Sequence, residues 1–230
     1  MNHTILDRLQ RTISHRRLLD HPFYQDWRSG VLTMDDLRLY AAQYYHFEAN
    51  FPRFLSAIHS RCQYPALRQQ ILDNLWDEEH GAENHRALWL DFCSGLGLTS
   101  EEAEQVSIHP KTKALLDTYR NICSTRSFQE GLSTIYAYEV QVPEISVEKL
   151  VGLRDRYGID DEAALSFFNI HSHLDKEHSR IEGQAISDHT GAEDEPAVES
   201  ALKAGLDAWW GFLDGVNELR GAKVAHASQA

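Results

Sequence analysis

The stretch ALSFFNIHSHLDKEHSRIE, residues 164–182, decides how this chain is read. Stepping about 100° per residue around a helix from His171, Asp175 falls roughly 40° away and His178 roughly 20° away. Ala164, Phe167, Phe168 and Ala185 share that sector, and Leu174 and Ile181 flank it. Asn169, His173, Lys176, Glu177 and Arg180 fall on the opposite side. Two imidazoles and a carboxylate therefore interrupt an apolar stripe, whereas His173, two residues from His171, is expected to be wet and unliganded. Glu182 lies in the same sector and reads as a partner behind these groups.

Working outward, two more segments repeat the pattern. Glu78 and His85 share a face with Leu67, Ile71, Leu75, Trp89 and Phe92, while Asp73, His80, Glu83 and Asn84 point away. Glu139 shares a sector with Phe128, Leu132 and Ile135. Buried carboxylates and unpaired imidazoles cost several kcal/mol each unless compensated. Two divalent cations would compensate all six. On one continuous helix, Glu78 and His85 are separated by a rise of roughly 10.5 Å. They must lean toward each other, a span that two metals about 3.5–4 Å apart satisfy more easily than one. Imidazole and carboxylate donors without thiolate favour iron or manganese over structural zinc. The competing readings are a buried salt-bridge network for the His171–Asp175–His178 trio and an arginine partner for Glu139.

The rest of the chain frames this site as all-α, a bundle of seven or eight helices. A first helix spans about 3–19, and Asp20-His21-Pro22 opens a turn through Tyr24 and Trp27 to Gly30. Thr33 with Asp36 starts a helix to about Cys62, and Thr99 with Glu102 repeats that capping pattern. Pro65 opens a helix running to Gly95-Leu96-Gly97. Pro110 starts the next, through Tyr119. A helix over 127–142 meets Pro143, which kinks or restarts it through Lys149. A last amphipathic helix ends near Gly221, so one domain over 1–221 is expected, with a disordered tail over 222–230.

Composition narrows the function. A net charge of −13 with no basic patch argues against nucleic-acid or anionic-membrane partners. The amino terminus lacks an apolar h-region and no 18-residue apolar run occurs, so neither export nor a membrane span is expected; the reading is cytoplasmic. Cys62, Cys93 and Cys123 read as reduced thiols.

The order Glu78-x6-His85, then Glu139, then His171-x3-Asp175-x2-His178 resembles the heme-oxygenase-like di-iron oxidases. Within them it is similar to the branch named for the Chlamydia protein associating with death domains. The early HPFY turn, Tyr138-Glu139 and Lys149 carry that closer likeness, which covers the chain to about residue 220. The resemblance implies that Glu78, His85, Glu139, His171, Asp175 and His178 hold two metal ions, di-iron or mixed iron–manganese, that react with O2 and a reductant. It implies 4-aminobenzoate formation for folate synthesis, with Tyr24 giving the ring, Lys149 the nitrogen, and Tyr138 relaying redox equivalents. A homodimer is implied in the same way.

Without the resemblance, Tyr24 reads as a packed tyrosine, Lys149 as a solvated surface residue, and His46 as a satisfied core histidine beside Glu48. Three other functions compete. A related oxidase could use the same ligands on an external small-molecule substrate, a fatty acid or an amino acid. A thiaminase-like hydrolase needs a nucleophilic cysteine near its acid, whereas Ser133 and Thr134 precede Glu139 and Cys123 is over four turns away. A pure protein-interaction module would not depend on His171 or Asp175.

Overall fold

The computed structural model describes residues 4–227, and every regular element among them is helical. Twelve α-helices follow in order: α1 Ile5–Ser14, α2 Pro22–Ser29, α3 Met34–Glu48, α4 Phe51–Arg61, α5 Pro65–Glu79, α6 His85–Gly95, α7 Ser100–Gln105, α8 Pro110–Thr125, α9 Phe128–Glu139, α10 Val142–Asp155, α11 Glu162–His189 and α12 Glu195–Ala227. A 3-10 turn, Leu18–Asp20, joins α1 to α2.

Local chemistry sets most of these boundaries. Capping boxes close the starts of α1 (Thr4 with Asp7), α3 (Thr33 with Asp36), α7 (Thr99 with Glu102) and α9 (Ser127 with Glu130), each satisfying two backbone N–H groups that lack helical partners. Two helices expected to run on are instead broken, and a third restarts at its proline as expected. The expected 33–62 helix stops at Glu48 and restarts at Phe51, because Pro52 has no N–H and its ring would strike the carbonyl of residue 48. The expected 65–95 helix stops at Glu79. His80 is extended, Gly81 takes φ +83°, and Asn84 caps α6 by accepting from the Ala87 N–H. Pro143 restarts the chain as α10, leaving Val140 and Gln141 as the joint. The first helix is likewise shorter than expected, and α8 longer. These breaks, with the short α2 and α7, raise the count from seven or eight to twelve. Helix α12 continues to Ala227, past the Gly221 end expected; residues 228–230 of the expected tail lie outside the described residues.

Helix α11 is the organising strut, packed against α6, α9 and α10, while α12 covers α8 and α9. Two glycines permit the closest approaches. A Cβ on Gly95 of α6 would sit 2.4 Å from the Ala164 Cβ of α11. One on Gly152 of α10 would sit 2.2 Å from Trp27 Nε1 of α2. The first contact draws the helix bearing His85 onto the helix bearing His171. The second draws Lys149, one turn before Gly152, toward Tyr24, one turn before Trp27. No described helix is long and apolar enough to cross a membrane.

Candidate metal centre

The break between α5 and α6 builds the first half of the centre. Glu78 sits in the last turn of α5 and His85 is the first residue of α6. The two are therefore not stacked along one helix, and the expected axial separation does not apply. The turn folds His85 Nδ1 to 2.9 Å from Glu78 Oε1. This close pair lacks hydrogen-bond geometry, for Nδ1 has no hydrogen-bond partner. Both are donor atoms of the kind that share a third centre. One ligand atom from each of Glu78, His85 and His171 lies within 4.8 Å of the others.

Glu139 ends α9, and α11 supplies His171, Asp175 and His178 from its middle turns. All six residues are buried, at 2–8% exposure. The wheel argument for α11 holds, since His173 is exposed. Neighbours orient several of the six. His171 Nδ1 lies 2.7 Å from the Phe167 carbonyl oxygen, so the N–H belongs there and the Nε2 lone pair is free. Asn74 donates to Glu139 Oε1 at 3.3 Å. Glu182 hydrogen-bonds the same carboxylate. Asp77 Oδ2 stands 3.4 Å from His178 Nε2.

Burial governs the protonation of this cluster. It raises Glu78 well above the carboxylate range, with Glu139 and Asp175 adding repulsion. It pushes Glu139 up to about 7, with Asp175 again contributing. Glu182 is also held high by burial and by Glu139, so it carries the proton and donates it to Glu139. Burial drives His171 down to about 4, keeping its imidazole neutral. At His178 burial is opposed and outweighed by Asp175, Glu139 and Glu78, which lift it to about 9.

The donor set fits bound cations. Glu78 Oε2, His85 Nδ1, Glu139 Oε2, Asp175 Oδ2 and His178 Nδ1 are buried without a hydrogen-bond partner among the described residues. Native proteins leave few such atoms orphaned. Five in one cluster, on carboxylates and imidazoles, match hard and borderline divalent metals and leave no role for thiolate.

Beside the cluster lies an aromatic chamber. Lys149, which its local sequence alone would leave at the surface, is 2% exposed. Its Nζ lies 2.5 Å from the Tyr40 hydroxyl oxygen and 5.9 Å from the Tyr24 ring centroid. Tyr44, Trp89 and Phe168 complete the enclosure at 5.2, 5.6 and 5.2 Å. Burial pushes the Lys149 amine down to about 7, against the pull of Glu48. Tyr138 meets Tyr44 hydroxyl to hydroxyl at 2.5 Å and stacks on Trp209 at 4.1 Å. A cavity of about 10 Å³ at the cluster is lined by Glu48, Glu78, Tyr138, Glu139 and Asp175 among others, and by Tyr44 from the chamber.

Tyr40, Tyr44 and Trp89 were not singled out from the sequence. Tyr40, Tyr44 and Glu48 recur every four residues, which puts them on one face of α3; that spacing was the available signal. Of the pair weighed on this helix, Glu48 faces the centre. His46 is satisfied in part: it hydrogen-bonds the Val106 backbone, while its Nε2 is buried without a partner among the described residues. Cys123 is buried and its thiol pushed up to about 12, which removes it as a nucleophile.

With this geometry in view, the relatives are informative. The sequence pattern of a family described as iron-containing redox enzymes matches residues 38–210. The 4-aminobenzoate synthase of Nitrosomonas europaea is 37% identical over 225 residues, spanning 94% of this chain and 92% of that protein. The 4-aminobenzoate synthase of Chlamydia muridarum is 36% identical over 225 residues, spanning 98% and 94%. A Shewanella denitrificans domain with a heme-oxygenase-like fold superposes with a TM-score of 0.74 at 16% identity, over 94% of this chain and 90% of that one. The chain belongs to the iron-containing redox enzymes, is a relative of the 4-aminobenzoate synthases, and has a heme-oxygenase-like fold.

Proposed function

We propose that this chain forms 4-aminobenzoate for folate synthesis by consuming its own Tyr24 side chain, with Lys149 as nitrogen donor. Glu78, His85, Glu139, His171, Asp175 and His178 would hold two metal ions, di-iron or mixed iron–manganese. When bound, these ions supply the oxidising power of O2, drawn with electrons from a reductant. The names of the two relatives, each a third or more identical over most of the chain, support the product.

The observation that carries the reading is the buried amine of Lys149, enclosed with a tyrosine ring against the orphaned donors. A lysine on an enzyme's surface needs no explanation; one at 2% exposure without a carboxylate hydrogen-bonded to it does. Burial keeps a large fraction of that amine neutral near pH 7, and the neutral form holds the nucleophilic lone pair. Tyr24 contains what the product needs: an aromatic ring, a Cβ at the carboxylate position and a para oxygen that nitrogen replaces. Breaking its Cα–Cβ bond frees the ring. The chain's task is then to hold ring and amine together and keep water out.

The cavities argue against an external substrate of fatty-acid size. Ligand pockets usually measure about 300–1,000 Å³, whereas the cavity at the centre is about 10 Å³ and the adjoining one, beside Asn74, His178 and Glu182, about 20 Å³. The test is a single-turnover reaction. Iron- or iron–manganese-loaded protein receives reductant and O2, and both 4-aminobenzoate and intact protein mass are measured. The expected result is at most one product per chain and a loss at position 24 equal to a tyrosine side chain, absent in Tyr24→Phe. Many turnovers with unchanged protein mass would refute self-consumption.

A further inference from the structure

We propose that Tyr40 is the positioning residue for the Lys149 amine, its hydroxyl anchoring Nζ within the ring of aromatic side chains. This rests on the reading of Lys149 as nitrogen donor and names the group that aims it. Among the described residues, Tyr40 is the hydrogen-bond partner of Nζ, at 2.5 Å. The other walls offer no equivalent. Trp89 and Phe168 present ring faces, which carry no acceptor lone pair. The Tyr44 hydroxyl is engaged with that of Tyr138, and the Tyr24 ring is the most distant of the five, its hydroxyl hydrogen-bonded to Tyr40. Glu48 attracts the amine through space without a hydrogen bond to it.

Tyr40 is itself held rigidly. It is wholly buried on α3 and stacks on Phe23 with centroids 5.0 Å apart and planes 26° apart. Trp27, Trp89 and Phe212 abut it edge-on at 6.1–6.2 Å. Such packing leaves the hydroxyl one direction to point. A free lysine side chain has four rotatable bonds and about 2 kcal/mol of rotamer entropy. Anchoring its tip converts a mobile amine into one held at a fixed place against the Tyr24 and Tyr44 rings. Burial holds the Tyr40 hydroxyl well above the usual tyrosine range, so it remains a neutral phenol throughout the working pH range.

The test reads the amine directly in metal-free protein, so it does not depend on the chemistry proposed above. Protein grown on lysine labelled with 13C at Cε is titrated by NMR. One lysine resonance should move with a midpoint near 7 and vanish in Lys149→Met. In Tyr40→Phe that midpoint should fall by about one pH unit, since a hydrogen bond to the charged amine favours its protonation. In loaded protein carrying 15N-lysine, the same variant should lose at least tenfold of nitrogen transfer while the Tyr24 side chain is still removed. An unchanged Lys149 midpoint in folded Tyr40→Phe would overturn the proposal. Should that variant not fold, 3-fluorotyrosine in otherwise wild-type protein decides. One fluorine resonance must titrate with the Lys149 midpoint and stop doing so in Lys149→Met; none doing so overturns the assignment. Failure of nitrogen transfer in wild-type protein, with the titration as expected, would refute the donor role of Lys149 and leave the anchor intact.

Discussion

The donor cluster and the aromatic chamber sit side by side and deal with buried charge in opposite ways. The cluster crowds carboxylates together, Glu78, Glu139 and Asp175 with Glu182 behind them, and leaves their outer oxygens without partners. It can become neutral only by taking up protons or cations. The chamber surrounds one potential cation with five rings, one of which, Tyr40, offers its hydroxyl. It lowers its charge by letting the amine lose its proton. A site with too many anions thus waits for metal, and a site with one desolvated cation becomes a nucleophile. The contrast lies in composition, since both are equally dry.

The largest effect should come from the cluster. Asp175→Ala or His171→Ala should cut bound iron, measured by elemental analysis, by at least half and lower product roughly 100-fold or more, because each removes a donor from a shared centre. Retained iron with full product would erase the distinction between the two regions.

Lys149→Met sharpens the comparison next, and here the sign depends on pH. The folded-state amine titrates near 7, below its unfolded value. The unfolded chain therefore binds more protons between pH 7 and about 10.4, and wild-type stability rises with pH across that window. In metal-free protein the methionine variant should be more stable by roughly 3–5 kcal/mol at pH 6. Its advantage should shrink by about 1.4 kcal/mol per pH unit above 7. Urea melts at pH 6, 7.5 and 9 measure this; a constant difference would mean the amine is not desolvated.

Gly152→Ala tests how the chamber is assembled. The added Cβ strikes the Trp27 ring, and relieving that clash should cost about 1–3 kcal/mol while separating α2 from α10. Product should fall with iron content unchanged, whereas the cluster variants lose both. The smallest effect belongs to His173→Ala. It lies two residues from His171 on the wet face, and stability should move by no more than about 0.5 kcal/mol, with iron unaltered. Iron loss there would undo the face assignment of α11.

The helical class, the capping boxes at Thr33 and Thr99, and the dry face of α11 were legible because they depend on neighbours three to seven residues apart. The periodicity that hides His171 and exposes His173 is a property of one helix. The α5–α6 break was harder to read. The apolar period continues across this segment from Ile71 to Trp89, and it masks the turn chemistry of Gly81 and Asn84. Lys149 enters the site through the family resemblance and not through its own neighbours, for another reason. Its local sequence, ISVEKL, is ordinary helix surface, and what buries it is α2, α3 and α6 meeting α10 from far along the chain.

By itself, then, the sequence determined an all-α fold, the identity of the carboxylates and imidazoles that belong inside, and the family likeness, since donor type and helix period are encoded residue by residue. Only the tertiary structure decided that Glu78 and His85 meet across a turn, that Glu48 faces the centre, and that Lys149 is dry and tied to Tyr40. Each of these depends on side chains from separate helices sharing one low-dielectric space, and that space exists only once the helices have packed.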